Sequence, residues 1–194
     1  MAISAKLKEF LAAHRIRYTT QKHPVAYTAQ EIAAALHVPG RQLAKCVLVK
    51  TDRGFSLAVL PASRLIDFKR LQKALGAKKL RLAKEADIKQ AFPDIEVGAM
   101  SPFGNLYNVP VIVEKTLTEC ETIACNAGTH TETLTLRYRD MANLIKPRSG
   151  AFLLEQPKPK ASAKRKTAKS KKPSAKKKPA RKAKPAKKKA ARRR

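Results

Sequence analysis

The chain has 194 residues and a formal charge of +29, from 43 Lys/Arg against 14 Asp/Glu. That charge is uneven: residues 156–194 hold 20 of the basic residues and no acid, leaving a net of only +9 on residues 1–155. No apolar run reaches the roughly 18 residues of a membrane span, and three unpatterned cysteines argue against a disulfide scaffold.

The asymmetry divides the chain into two expected parts. Residues 1–155 are long enough to hide roughly 70% of the surface their extended chain would expose. Residues 156–194 combine Lys, Arg, Ala and Ser with Pro157, Pro159, Pro173, Pro179 and Pro185, and no aromatic or branched aliphatic side chain. Such a segment cannot bury enough apolar surface to offset ordering, so it reads as a disordered basic tail. Its +20 points to a polyanionic partner, most simply nucleic acid. The opening MAISAKLKEFLAAH is amphipathic, unlike a signal peptide. A cytoplasmic protein is expected, nucleoid- or ribosome-associated through the tail.

In chain order, a first helix is expected over about Ser4–Arg15, with Ile3, Leu7, Phe10, Leu11 and Ile16 on one stripe. An extended piece, YTTQKHP, follows. Thr28 and Glu31 then form a capping-box pattern ahead of an Ala/Leu/Ile helix that Pro39-Gly40 stops. LAKCVLVKTDRGFSLAVLPA reads as two central strands around a turn at Asp52-Arg53-Gly54. DFKRLQKALG is a helix from an Asp67 cap to a Gly76 stop, KKLRLA a short strand, and KEADIKQAFP a short helix closed by Pro93. Strands are expected at VPVIVEKTL, ETIACNAG and TETLTLRY, and a closing helix, capped by Asp140, at RDMANLI. The total is a mixed α/β domain with five to seven strands and four or five helices.

The segment GAMSPFGN, from Gly98, sits between the second short helix and a strand. Its glycines permit positive φ and close approach, while Pro102 stiffens it. A stiff loop whose amides are free of ladder duty can aim N–H groups at a carbonyl or phosphate oxygen. A tight connection into the strand is the plainer reading. Lys45 heads an apolar strand run; a snorkelling edge lysine and a site lysine are both open. Thr28 caps a helix or lines a pocket. His130, in AGTHTET, is a turn residue or a site residue, and His23 is the other candidate histidine. No Ser-His-Asp or Cys-His spacing appears, and Cys46 should face away from Lys45 on a regular strand. No Cys/His cluster suggests a metal.

Four stretches in order carry a resemblance to a known family: HPVAYTAQEIAAAL (23–36), LAKCVLVK (43–50), Gly98-x-x-Ser101-Pro102-Phe103-Gly104, and NAGTHTETLTLRYRDMANLI (126–145). Together they resemble the YbaK/ProX superfamily of aminoacyl-tRNA deacylases, relatives of the editing domain of bacterial prolyl-tRNA synthetase. The resemblance spans nearly all of residues 1–155 and leaves the tail without a counterpart. It implies a mixed, partly barrel-like α/β sheet flanked by helices, and a trans-editing hydrolase for Ala- or Cys-tRNA(Pro)-like substrates. It also implies no metal and no other cofactor, with Lys45 as the catalytic lysine. Substrate-binding positions would be Thr28, Gly98, Ala99, Met100, Ser101, Pro102, Phe103, Gly128 and His130. The implied partner is the aminoacylated end of a transfer RNA, with DNA or ribosomal RNA as further partners of the tail. The rival reading is a non-catalytic nucleic-acid-binding protein that uses the folded domain as a scaffold.

Overall fold

In a computed structural model of the chain, residues 3–26, 28–36 and 38–155 are described. The expectations for the tail from Gln156 fall outside them. The helices are α1 (Ala5–Ala13), α2 (Ala29–Ala35), α3 (Phe68–Leu75), α4 (Glu85–Ala91) and α5 (Tyr138–Ile145). The strands are β1 (Tyr18–Lys22), β2 (Leu43–Thr51), β3 (Gly54–Pro61), β4 (Leu80–Leu82), β5 (Val111–Glu114), β6 (Thr122–Asn126), β7 (Glu132–Arg137) and β8 (Arg148–Gly150).

All eight strands join one mixed sheet in the order β1-β7-β6-β2-β3-β5-β8, with β4 also on β2. The antiparallel β2–β3 hairpin turns at Asp52 and Arg53, where the Thr51 hydroxyl accepts from the Arg53 amide and donates to the Gly54 carbonyl. β6 runs parallel to β2 but pairs only with Leu43 and Ala44. β4 takes up the same strand again from Val49 to Thr51. Between these pairings the sheet forks, and Lys45 and Asn126 are the first residues of β2 and β6 past the fork.

The central strands are apolar on both faces, as expected of strands covered on each side. Ala44, Cys46, Leu48, Leu57, Val59 and Val113 face the main core, where Leu7 and Leu11 of α1 meet Phe92, Phe103 and Met141. Val49, Ala58, Leu60 and Ile112 face the other side, against Leu71 and Leu75 of α3 and Phe152. Cys46 and Lys45 therefore alternate across the sheet as a regular strand requires.

The caps explain the helix limits. Thr28 and Glu31 complete the capping box at α2, the Thr28 hydroxyl accepting from the Glu31 amide at 3.2 Å and the Glu31 carboxylate from the Thr28 amide at 3.0 Å. The Asp67 carboxylate accepts from the amides of Lys69 and Arg70 at 3.0 and 3.1 Å, and Gly76 ends α3. Asp140 does not cap α5. Arg137 occupies the cap position without a side-chain bond, and Asp140 lies inside the first turn. The helix starts early because Tyr138 donates its amide to the Glu121 carbonyl, closing the β6–β7 end directly onto α5. β5 is shorter than VPVIVEKTL suggests. Lys115–Glu119 coils into a 3-10 turn, with buried Leu117 in the core and the Thr118 hydroxyl donating to the Lys115 carbonyl at 2.7 Å. β8, absent from the sequence expectation, pairs parallel with β5.

Candidate functional site

Lys45 stands at the fork, half-buried, on the face opposite Cys46. Its ammonium donates to the Ala62 carbonyl at 3.3 Å. The amide of Ala62 in turn donates to the Leu43 carbonyl at 2.7 Å, which fixes that acceptor beside β2. Burial pushes the Lys45 pKa below that of an ordinary lysine. A cleft of about 170 Å³ opens here, lined by Ile32, Leu43, Ala44, Lys45, Cys46, Gly98 and Asn126. Among the described residues, Lys45 is the one charged residue on that lining.

Gly98 reaches the cleft from the loop after α4. Its φ of 93° is open to glycine and strained for any other residue. The Ala99 amide donates to the Glu96 carbonyl at 2.9 Å, and the Ala99 carbonyl accepts from the Gly128 amide at 3.2 Å. Beyond Gly98 the chain turns inward: Ala99, Met100, Ser101, Pro102 and Phe103 are all buried, with Met100 and Phe103 in the main core. Gly104 is not a positive-φ position. A Cβ there would stand 2.6 Å from the Val109 carbonyl oxygen, so the residue allows close packing. Among the described residues, the amides of Met100 and Ser101 donate to no backbone carbonyl.

His130 ties the loop down. Its ring nitrogens lie 2.9 Å from the Val97 carbonyl and 3.3 Å from the Ala26 carbonyl, and its amide donates to the Glu96 carboxylate at 2.8 Å. The ring packs under Gly98, whose added Cβ would touch Cε1 at 3.4 Å. Gly128 is buried in the same turn. Thr28 is exposed and engaged in its cap, outside the cleft lining. Thus Lys45 and Gly98 share one cleft, His130 and Gly128 support it from beneath, and the side chains of Met100 and Phe103 belong to the core.

Asn126 escaped the sequence reading. Its amide group donates to the Gly98 carbonyl at 3.4 Å, while its Oδ1 is buried with no partner among the described residues. Only the fork between β2 and β6 gives it a role, and no local motif marks that. His23 Nε2 and Thr129 Oγ1, in the segments bonded around His130, are likewise buried without a partner. Arg64 Nε is a fourth such atom among the described residues, away from the Lys45 cleft lining. Buried polar atoms are nearly always matched, so the unmatched Asn126 Oδ1 on that lining marks a place built around something besides apolar packing.

The cysteines are poor nucleophiles. Burial pushes the Cys125 thiol up to about 12 and also raises that of Cys46, which faces the main core. A larger cleft of about 430 Å³ lies against Arg41, Arg64, Glu119 and Glu121, with Cys120, whose thiol burial also raises. It has mixed charge and receives no part of the Gly98 loop. No helix among the described residues is long and apolar enough to cross a membrane.

The chain is 31% identical over 81 residues to a proline–tRNA ligase of Thermosipho africanus and 32% identical over 105 residues to one of Shouchella clausii. These matches take in 42% and 54% of the chain but only 14% and 18% of the relatives' own length. Two solved structures share the fold. One, a hypothetical protein, aligns with a TM-score of 0.70 at 18% identity, over 77% of this chain and 99% of its own. The other, described as a candidate trans-editing enzyme for prolyl tRNA synthetase, aligns with a TM-score of 0.67 at 17% identity, over 79% and 100%. The family model for the aminoacyl-tRNA editing domain matches residues 23–144, well over half of the chain, and the chain belongs to that family.

Proposed function

We propose that the chain is a free-standing deacylase that hydrolyses the ester of mischarged aminoacyl-tRNA, of the Ala- or Cys-tRNA(Pro) type. The observation that carries this reading is the shared cleft: one half-buried ammonium, at Lys45, faces the Gly98 turn and the Asn126 amide across a space suited to a small acyl group. An aminoacyl ester is already activated, so positioning and charge stabilisation are enough to speed its hydrolysis. Water adds to the acyl carbon, the ester C–O bond breaks, and the proton lost by the water ends on the ribose oxygen that leaves. Lys45 holds the charge that builds on the carbonyl oxygen or the adjacent phosphate. Main-chain donors of the Gly98–Phe103 loop hold the acyl group, and the ribose hydroxyl next to the ester assists the water. Asn126 orients the loop through the Gly98 carbonyl.

The domain assignment, residues 1–155 for deacylation and 156–194 for tethering, belongs to the same proposal. The tail's 20 basic residues would hold nucleic acid by counterion release, with little sequence information of its own. A panel of mischarged transfer RNAs tests the whole reading. Alanyl or cysteinyl esters on proline acceptors should be cleaved and correctly charged ones spared. No cleavage of any member, with nucleic-acid binding intact, would leave the non-catalytic binding protein as the better account.

A further inference from the structure

A separate cleft, of about 400 Å³, lies at the far end of the β6–β7 ladder, lined by Arg15, Ile16, Arg17, Arg137 and Asp140. Three arginines and one aspartate line it. None of the three guanidiniums has an ion-pair or side-chain hydrogen-bond partner among the described residues, and Asp140 has no ion pair. Ion pairs among the described residues engage Lys50 and Arg81 with Asp87, and Arg70 with Asp67 and Glu155; what sets Arg15, Arg17 and Arg137 apart is that they line one cleft. Three arginines against one carboxylate leave the cleft with a net positive charge, which favours an anionic ligand.

The backbone holds these arginines in place. Arg15 has a φ of 53°, a left-handed conformation uncommon for a side chain of its size. The amide of Ile16 donates to the Leu11 carbonyl at 3.0 Å, which ends α1 and delivers Arg17 to the start of β1. There Tyr18 pairs with Leu136, so Arg17 and Arg137 flank one rung of the ladder. Arginine is the residue suited to this task, because its planar fork matches two oxygens of a phosphodiester at once.

We infer that this cleft is a docking site for the sugar-phosphate backbone of the RNA whose ester enters the Lys45 cleft. The inference rests on the deacylase reading and adds a second contact point to it. The spacing is set by the ladder. Asn126, at the Lys45 cleft, pairs with Thr133, and four residues further along β7 is Arg137. At about 3.3 Å per residue the two clefts stand roughly 13 Å apart along the strand. A nucleic acid with its ester in the first cleft thus meets the second with phosphates a few nucleotides back from the end. A small anionic acid bound at the Lys45 cleft would not reach so far.

The test uses the full chain and two readouts. The first is steady-state deacylation by the Arg17→Gln, Arg137→Gln double variant, beside Arg139→Gln, an exposed neighbour outside the cleft. Loss of two charge-assisted contacts should raise KM about tenfold and leave kcat within about twofold. The second is binding of an uncharged RNA hairpin with an unpaired 3′ end, followed across salt concentrations. The tail contributes equally to every variant and cancels in the difference. The double variant should lower the slope of log K against log salt by about 0.7 to 0.9 per lost phosphate contact, and Arg139→Gln by clearly less. Unchanged KM and slope, or an equal effect from Arg139→Gln, would overturn the inference while leaving deacylation in place. A lowered slope in a protein that cleaves no mischarged RNA would keep the RNA contact and remove the deacylase reading. Thermal melting of each variant confirms that the exposed substitutions leave the fold intact.

Discussion

The edge of the sheet and its middle solve the same problem in different ways. Around α3 and β8, polar groups close on one another. The Glu114 carboxylate, buried, accepts from the Phe152 amide at 2.7 Å, and the Arg148 guanidinium donates to the Ala74 and Leu75 carbonyls at the end of α3. On the β6–β7 side, buried polar atoms of His23, Asn126 and Thr129 have no partner among the described residues, and Lys45, which lines a cleft with Asn126, makes one 3.3 Å bond, to the Ala62 carbonyl. Each unmatched buried group costs about 1–3 kcal/mol. One unmatched atom, Arg64 Nε, also lies just before α3, so the two regions differ in degree, and the difference still separates the part that mainly holds the fold from the part shaped for a ligand.

The largest effect expected is the exchange of roles between Lys45 and Glu114. Lys45→Ala should lower kcat for deacylation by about 10² to 10³, the usual loss when a charge-stabilising donor is removed. Its melting temperature should hardly move, because the substitution also removes the burial cost of the ammonium. Glu114→Ala should do the reverse. It leaves the Phe152 amide buried and unmatched, a loss of about 1–3 kcal/mol, and turnover per folded molecule stays near that of the parent. Melting curves and single-turnover deacylation on the same samples check both. If the two variants lost activity and stability in the same proportion, the division between the edge and the middle of the sheet would not exist.

A smaller effect separates two glycines of similar conformation. Gly98 and Gly54 have φ of 93° and 111°. Alanine at either strains the backbone, and about 1 kcal/mol of stability should be lost at each. At Gly54 an added Cβ meets nothing within 4 Å, whereas at Gly98 it touches the His130 ring beside the cleft. Gly98→Ala should therefore lower kcat/KM about tenfold, since small displacements of positioning groups cost that much or more, and Gly54→Ala should leave it unchanged. Equal activity in the two variants would remove the Gly98 turn from the site.

Local chemistry was readable in the sequence wherever neighbours in the chain decide the outcome. Thr28 with Glu31, Asp67 with Gly76, and the Asp52-Arg53-Gly54 turn each carry their instruction within ten residues. β8 does not. Arg-Ser-Gly has no strand signal of its own and becomes a strand only because Ile112, Val113 and Glu114 lie beside it. Asn126 likewise looked like one more strand residue, because its importance comes from β6 leaving β2 just there. Asp140 was misread for a similar reason: the Tyr138 amide finds its acceptor at Glu121, so the helix begins before the expected cap. Lys45 and the Gly98 loop are assigned to one site only through the family resemblance; the residues by themselves do not bring together positions more than 50 apart, and the fold does.

The smallest effect lies far from either cleft and depends on pH. Arg81 holds the Asp87 carboxyl well below the usual carboxylate range, helped by the Lys84 amide at 2.9 Å and by Lys50. Because the folded pKa is depressed, the contribution of Asp87 to stability is fully present above the unfolded pKa, near 3.9 for a free aspartate. It declines as pH falls below that value and is gone once pH passes through the folded pKa. Asp87→Asn should thus lower the melting temperature by about 2–4 °C at pH 7, with the gap to the parent narrowing as the pH of the melt is taken below about 4. Deacylation at pH 7 should be unaffected, since none of these side chains lines the Lys45 cleft. A gap that stayed constant down to strongly acidic pH would mean that Asp87 acts through shape, as the cap of α4, and that its charge contributes nothing.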